Sequence, residues 1–372
     1  VSGGDAVVVD GARVHGEAPG RAQLTVVDHY TAQTTTVIAR VLPAQGATFP
    51  RTGDGSQLSV VAPAGDVDGD GRADVVIGVQ EMSFSGEGSL GPGGLNSGAA
   101  YVWSSAALDA PRVVGGSDRR DQLGRAVLVV DVDGDDRKDL IAGAPQQDIG
   151  LVDNGVVTFF AGTDDGFAAE PSRVLSGPFG GDRFGTALAA CDFNGDGAVD
   201  LAISAPNGRN RDLNPAVNNQ GAVHIFLGYP DGFLERADVV VFGVVPAASG
   251  TGPVAAANIN IGAWLAAADL DADGRCDLIA SSTNFSSGAG RTNDGALLVF
   301  RGEATSDLDP GGVENLPVRF FAGSAADDAG SALGRRFVVG DLDDDDVPEV
   351  IARFPDEVDD CARARALLTR LA

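Results

Sequence analysis

Residues 186–206 read Thr186-Ala187-Leu188-Ala189-Ala190-Cys191-Asp192-Phe193-Asn194-Gly195-Asp196-Gly197-Ala198-Val199-Asp200-Leu201-Ala202-Ile203-Ser204-Ala205-Pro206. A short apolar run leads into a loop with oxygen-bearing side chains at alternate positions, and a second apolar run leaves it. The same phrase occurs four more times, as Asp66-Asp68-Asp70-Asp74, Asp131-Asp133-Asp135-Asp139, Asp269-Asp271-Asp273-Asp277 and Asp341-Asp343-Asp345-Glu349; the third copy is Asp192-Asn194-Asp196-Asp200. Successive copies start 65, 61, 77 and 72 residues apart.

Oxygens at alternate positions of a tight loop suit a hard cation that takes about six to eight oxygen ligands. Positions 1, 3, 5 and 9 offer carboxylates or an amide, and the carbonyl at position 7 (Arg72, Arg137, Ala198, Arg275, Val347) adds another oxygen. Gly71, Gly197 and Gly274 at position 6 permit a sharp reversal, and Asp136 and Asp346 stand there in the other two copies. An EF-hand needs a bidentate Glu at position 12 between two helices. Position 12 here is Ile77, Ala142, Ile203, Ala280 or Ala352, inside runs that read as buried strands. A solvated Asp-rich turn is the plain alternative for one copy; five copies in one strand-loop-strand context favour metal, with four to five Ca2+ expected. The fifth loop departs most, having no Gly and having Pro348 at its exit.

A period of this length holding several short strands points to propeller blades. Strand A is expected at Leu58–Ala62, Ala126–Val130, Thr186–Ala190, Ala263–Ala267 and Arg336–Gly340, and strand B directly after each loop. Strand C follows a small turn at Gly98, Gly155, Gly221 and Gly295, and an outer strand D at Arg112–Gly115, Arg173–Ser176, Asp238–Phe242 and Pro317–Ala322.

Phe184-Gly185, with the near matches Leu123-Gly124, Ile261-Gly262 and Leu333-Gly334, and Gly143-Ala144-Pro145, with Ser204-Ala205-Pro206, carry a resemblance. The pattern resembles the FG-GAP repeat of the integrin α-subunit β-propeller across about residues 57–372. The resemblance implies calcium in the aspartate loops and partner binding on the face away from them. The fold expected is therefore all-β, a single β-propeller over 1–372, with six blades, or seven if the natural chain extends beyond either end. Residues 1–56 form a divergent blade without a metal loop, with strands at Asp5–Asp10, Gly20–Asp28 and Thr34–Val41. Residues 57–323 hold four blades, and 324–372 hold a last blade completed by closure between the termini.

The formal charge of −27 argues against nucleic acid as a partner, and five divalent ions would leave −17. Three cysteines make no disulfide framework; Cys191 and Cys276 read as small buried residues and Cys361 as more exposed. The chain opens Val1-Ser2-Gly3-Gly4 without a signal peptide, so a secreted protein would be a mature or trimmed form. Residues 239–268 carry no charge, but Pro246, Gly250, Gly252 and Pro253 break any spanning helix, so an outer strand and a loop fit better.

Nothing catalytic stands out. The three histidines, His15, His29 and His224, form no metal or triad spacing, and no nucleophile elbow, phosphate loop or dinucleotide fingerprint occurs. The expectation is a non-catalytic extracellular or cell-surface module for adhesion or for protein or glycan binding, with structural Ca2+. A secreted calcium-dependent enzyme of polysaccharide lyase or phospholipase type is the alternative, and a purely structural spacer a third reading. Partner contacts are expected on the long loops opposite the aspartates, at Phe84, Arg209, Arg211, Phe285 and Arg291.

Overall fold

The computed structural model describes residues 7–10, 13–16, 20–27, 34–41, 60–81, 87–88, 91–92, 96–104, 111–116, 120–211, 218–228, 236–246, 253–255, 258–286, 294–303, 318–322, 333–334, 337–341, 347–352 and 366–367. The architecture is all-β, and four antiparallel four-stranded sheets repeat along the chain as propeller blades. Blade I is Val60–Gly65, Asp74–Val79, Ala99–Trp103 and Arg112–Gly115. Blade II is Ala126–Val130, Asp139–Ala144, Val156–Phe160 and Arg173–Ser176. Blade III is Leu188–Cys191, Asp200–Ala205, Ala222–Phe226 and Val239–Phe242. Blade IV is Leu265–Ala268, Asp277–Ser282, Ala296–Phe300 and Val318–Ala322. We letter the strands of each blade A to D in chain order. A three-stranded sheet follows, Phe337–Gly340, Glu349–Ala352 and Ala366–Leu367, in the expected A-B-C order.

Every B strand begins on the ninth loop residue and, in blades I to IV, runs past the ends expected from sequence, Gly78, Ala142, Ser204 and Ala280. In blades II, III and IV all six B residues are buried. That burial on both faces explains runs such as Leu201-Ala202-Ile203 with no polar alternation. Blades pack face to face, and the core lies between them. Val223, Ile225 and Leu227 of blade III meet Leu278, Leu298 and Phe300 of blade IV in one cluster. Ile141 and Phe159 of blade II meet Leu201, Ile203 and Phe226 of blade III in another, with Phe184 between. The A strands of successive blades lie side by side.

The recurrent Phe-Gly element is a joint between blades. The N–H of Phe184 donates to the Asn154 carbonyl at 3.1 Å, and Leu123, Ile261 and Leu333 repeat the bond to Ser97, Gln220 and Asp294. Backbone comes so close there that a Cβ on Gly155 would lie 2.1 Å from the Phe184 carbonyl oxygen, so only glycine fits.

The described strands between residues 7 and 41 pair as two separate hairpins instead of as three strands of one sheet. Val7–Asp10 pairs with Arg13–Gly16, and Gly20–Val27 with Thr34–Val41. Among the described residues, no strand from this segment pairs with the last sheet. In the uncharged stretch, the outer strand Val239–Phe242 is followed by a hairpin of Val244–Pro246 with Pro253–Ala255. Among the described residues no helix is long and apolar enough to cross a membrane.

Candidate metal centre

Each A–B hairpin turns through an aspartate loop, so the loops stand on one face of the blades and the B–C and D–A connections on the other. Four of the five loops are described throughout, and their backbones are wound alike. The position-6 N–H donates to the first carboxylate: Gly71 to Asp66 at 2.7 Å, Asp136 to Asp131 at 2.8 Å, Gly197 to Asp192 at 2.8 Å and Gly274 to Asp269 at 2.9 Å. The position-7 N–H donates to the fifth: Arg72 to Asp70, Arg137 to Asp135, Ala198 to Asp196 and Arg275 to Asp273, at 2.8–2.9 Å. Position 6 is left-handed in all four, including Asp136 at φ 67°. Position 4 is left-handed as well, and Ala272 takes φ 57° where the other loops have Gly69, Gly134 and Gly195.

This winding turns the remaining carboxylate oxygens toward one another. Asp66, Asp68 and Asp70 each bring an oxygen within 4.8 Å of the others, as do Asp131, Asp133 and Asp139, and Asp269, Asp271 and Asp273. In the third loop Asn194 takes one place, donating to Asp196 at 3.0 Å. The donor set is oxygen throughout, which suits a hard divalent cation. Asp271 Oδ1 is buried without a hydrogen-bond partner, the kind of oxygen a cation would satisfy. Ser104 Oγ donates to Asp68, and Arg301 pairs with Asp271 at 2.7 Å.

The ninth residue also holds the structure together. Asp200 is fully buried and accepts from Phe193 N at 2.8 Å and Gly228 N at 2.7 Å. Asp139 does the same with Val132 and Gly162, and Asp277 with Leu270 and Gly302. Asp74 accepts from Val67 at 2.8 Å. In blades II to IV this carboxylate ties the start of its loop to the end of strand C. Burial pushes the Asp200 and Asp277 carboxyls up to about 6, with neighbouring aspartates adding to the rise and the backbone donors opposing it. Asp139 shifts the same way for the same first cause. In the fifth loop Asp341 is exposed, Val347 half-buried and Glu349 buried, while Asp343 and Asp345 lie outside the described residues.

The cysteine expectation needs correction. Cys191 and Cys276 are disulfide-bonded, their Cα atoms 6.0 Å apart across 85 residues of sequence. The bridge runs from the last residue of strand A in blade III to position 8 of the fourth loop. Cys361 lies outside the described residues.

On the opposite face, Phe84 and Arg291 lie outside the described residues. Arg209 is exposed and donates to Asn218 at 2.7 Å. Arg211 stacks on the Phe179 ring at 3.7 Å and pairs with Asp182 at 3.3 Å. Asp182 is raised even so, because its burial outweighs the two arginines. Phe285 packs against the core between blades III and IV. Sequence reasoning missed an amide ladder here: Asn260 donates to the Pro206 carbonyl at 2.8 Å and to Asn207, Asn284 donates to Asn260 at 3.0 Å, and Asn207 donates to Gly181 at 3.1 Å. These bonds join loops 24 to 54 residues apart in sequence, which no local spacing marks.

The comparisons agree with this geometry. Residues 123–160 and 184–226, which cover strands A to C of blades II and III, match the FG-GAP repeat family. Over 203 residues, 52% of this chain, it is 31% identical to phosphatidylinositol-glycan-specific phospholipase D of Homo sapiens, spanning 22% of that protein. It is 34% identical to integrin alpha-IIb of Mus musculus over 171 residues, 44% of this chain and 15% of that one. Integrin alpha-PS5 of Drosophila melanogaster is 32% identical over 185 residues, 46% of this chain and 16% of that protein. The chain carries FG-GAP repeats and resembles the integrin alpha propeller, and it matches less than a quarter of the length of these relatives.

Proposed function

We propose that the chain is a non-catalytic, calcium-binding propeller of six blades that serves as an extracellular adhesion or protein- or glycan-binding module. The observation that carries this reading is the recurrence of one wound oxygen loop at the same place in four successive blades. Asp66, Asp68, Asp70, Asp74 and the Arg72 carbonyl would hold one ion. Residues 131–139, 192–200 and 269–277 would hold three more, and the fifth loop a further one. Bound Ca2+ supplies positive charge among carboxylates that otherwise repel, and binding only to the folded state stabilises it by mass action. The Cys191–Cys276 bridge supports an oxidising, extracellular setting, where such bonds persist.

The opposite face offers Arg209 and Arg211 on loops held by the blades, and we place the partner there. A glycan and matrix-protein array probed with the purified chain tests this. Retention lost on Arg209→Ala but kept in a loop variant that still folds supports the site; no retention of any glycan or protein leaves a structural spacer. A second reading draws on the similarity to the phospholipase D. Hydrolysis of a phosphatidylinositol glycan by the purified chain would replace the binding reading with an enzymatic one.

A further inference from the structure

The third and fourth aspartate loops are not independent. Cys191 directly precedes Asp192, position 1 of the third loop, and Cys276 directly precedes Asp277, position 9 of the fourth. The bridge between them therefore sits one residue from a candidate ligand on either side. The contact extends beyond the sulfurs. Cys276 N–H donates to the Asp192 carbonyl at 2.8 Å, so the backbones of the two loops are bonded directly. Arg275, whose carbonyl is a candidate ligand, covers Gly195 so closely that a Cβ there would lie 3.0 Å from its Cγ. Gly302, whose N–H holds Asp277, abuts both the Cys276 and Phe193 carbonyls; a Cβ on it would lie 2.6 and 2.7 Å from them.

The first two loops meet at the equivalent place with different chemistry. Lys138, at position 8 of the second loop, reaches Gly65, the residue before Asp66; a Cβ on Gly65 would lie 2.6 Å from Lys138 Nζ. The residue before one loop and position 8 of the next thus form a recurrent joint between blades. The Lys138 amine reaches it between blades I and II, and a covalent bond fills it between blades III and IV.

We propose that the Cys191–Cys276 disulfide joins the third and fourth loops into one calcium-binding unit, whose affinity is set by the thiol redox state of this joint. The inference rests on the reading of these loops as calcium sites. In the disulfide form Asp192 and Asp277 are held at a fixed spacing, so ions bind a pre-organised pair of loops. Two thiols of a reductant supply two electrons and two protons. The S–S bond breaks, Cys191 and Cys276 become thiols, and the donor leaves as its own disulfide. The loops then keep the Cys276–Asp192 hydrogen bond and the packing of Arg275 over Gly195, but no covalent tie. Coupling is reciprocal, so calcium bound at these loops must favour the disulfide by the same factor by which the disulfide favours calcium.

The test uses the full chain with Cys361→Ser, so that only the paired cysteines exchange. Calcium titration calorimetry is run on the oxidised and the reduced protein, and the bridge is equilibrated in glutathione buffers with and without millimolar calcium. We expect two of the bound ions to weaken about tenfold on reduction, a coupling within the usual range. The others should hold their affinity, and calcium should shift the glutathione equilibrium toward the disulfide. Cys191→Ser/Cys276→Ser should reproduce the reduced protein, and the glutathione arm needs no variant if that one fails to fold. Equal affinities in both redox states with an unmoved glutathione equilibrium would overturn the coupling and leave the calcium sites standing. Equal weakening of every ion would overturn it in favour of a general loosening. No calcium in either state would remove both readings.

Discussion

The two faces of the blades are stitched in opposite ways. On the aspartate face, the hydrogen bonds that wind each loop close within it: Gly197 to Asp192 spans five residues, and Ala198 to Asp196 spans two. On the other face they cross between blades: Asn260 reaches Pro206 across 54 residues, Asn219 reaches Asn258 across 39, and Arg211 reaches Asp182 across 29. One face therefore stacks negative charge in small turns, and the other laces its loops together with neutral amides and the Arg211–Asp182 ion pair. The acidic loops gather carboxylates that repel one another, whereas the amides of the other face donate to carbonyls and amides of the chain itself. The Cys191–Cys276 joint, the ninth-position carboxylates and side-chain contacts such as Arg301 with Asp271 tie the acidic face to the rest of a blade or to the next one.

The sharpest break in this contrast should come from Asp200→Ala. It strands the buried N–H groups of Phe193 and Gly228, each worth about 1–3 kcal/mol when unsatisfied, so a loss of about 4 kcal/mol is expected by urea unfolding. Asp200→Asn, keeping one acceptor oxygen, should lose less in chelator. On the amide face, Arg211→Met removes both the Phe179 stacking and the partner of buried Asp182. A loss of about 2 kcal/mol is expected, with Asp182→Asn recovering part of it in a double-mutant cycle.

Acidity should weaken calcium on the first face alone. The folded pKa of Asp200 and Asp277 is about 6, above the usual carboxylate value near 4. In chelated protein these groups favour the folded state most below about pH 4, and that contribution fades as pH rises through 6. Bound cations reverse the preference, so protons and calcium compete. Apparent affinity at the third and fourth loops should fall about tenfold from pH 7.5 to pH 5, read by calorimetry at both values. The smallest effect is expected from Asn260→Ala, about 1 kcal/mol, and it should not change calcium affinity.

Much of this was legible because the sequence repeats. The order of strands and the place of each loop follow from apolar runs flanking Asp66, Asp131, Asp192 and Asp269, and Asp136 takes the left-handed turn expected of it. The second role of Asp139, Asp200 and Asp277 was not legible. It depends on Gly162, Gly228 and Gly302, more than twenty residues away, coming within reach. The disulfide was hidden for the same reason: 85 residues separate its cysteines, and only the stacking of two blades brings them together. The contact of half-buried Phe285 with the core between blades III and IV was equally hidden, because the residues around it in sequence are polar.

The central claim is that the aspartate loops hold calcium and that the fold depends on it. The most direct measurement is thermal unfolding in millimolar calcium and in excess EDTA, with the bound ions counted by elemental analysis. Four or five ions per chain and a large fall in Tm on chelation are the result expected here. Unchanged unfolding with no calcium bound would contradict it and leave the repeated aspartates as solvated turns.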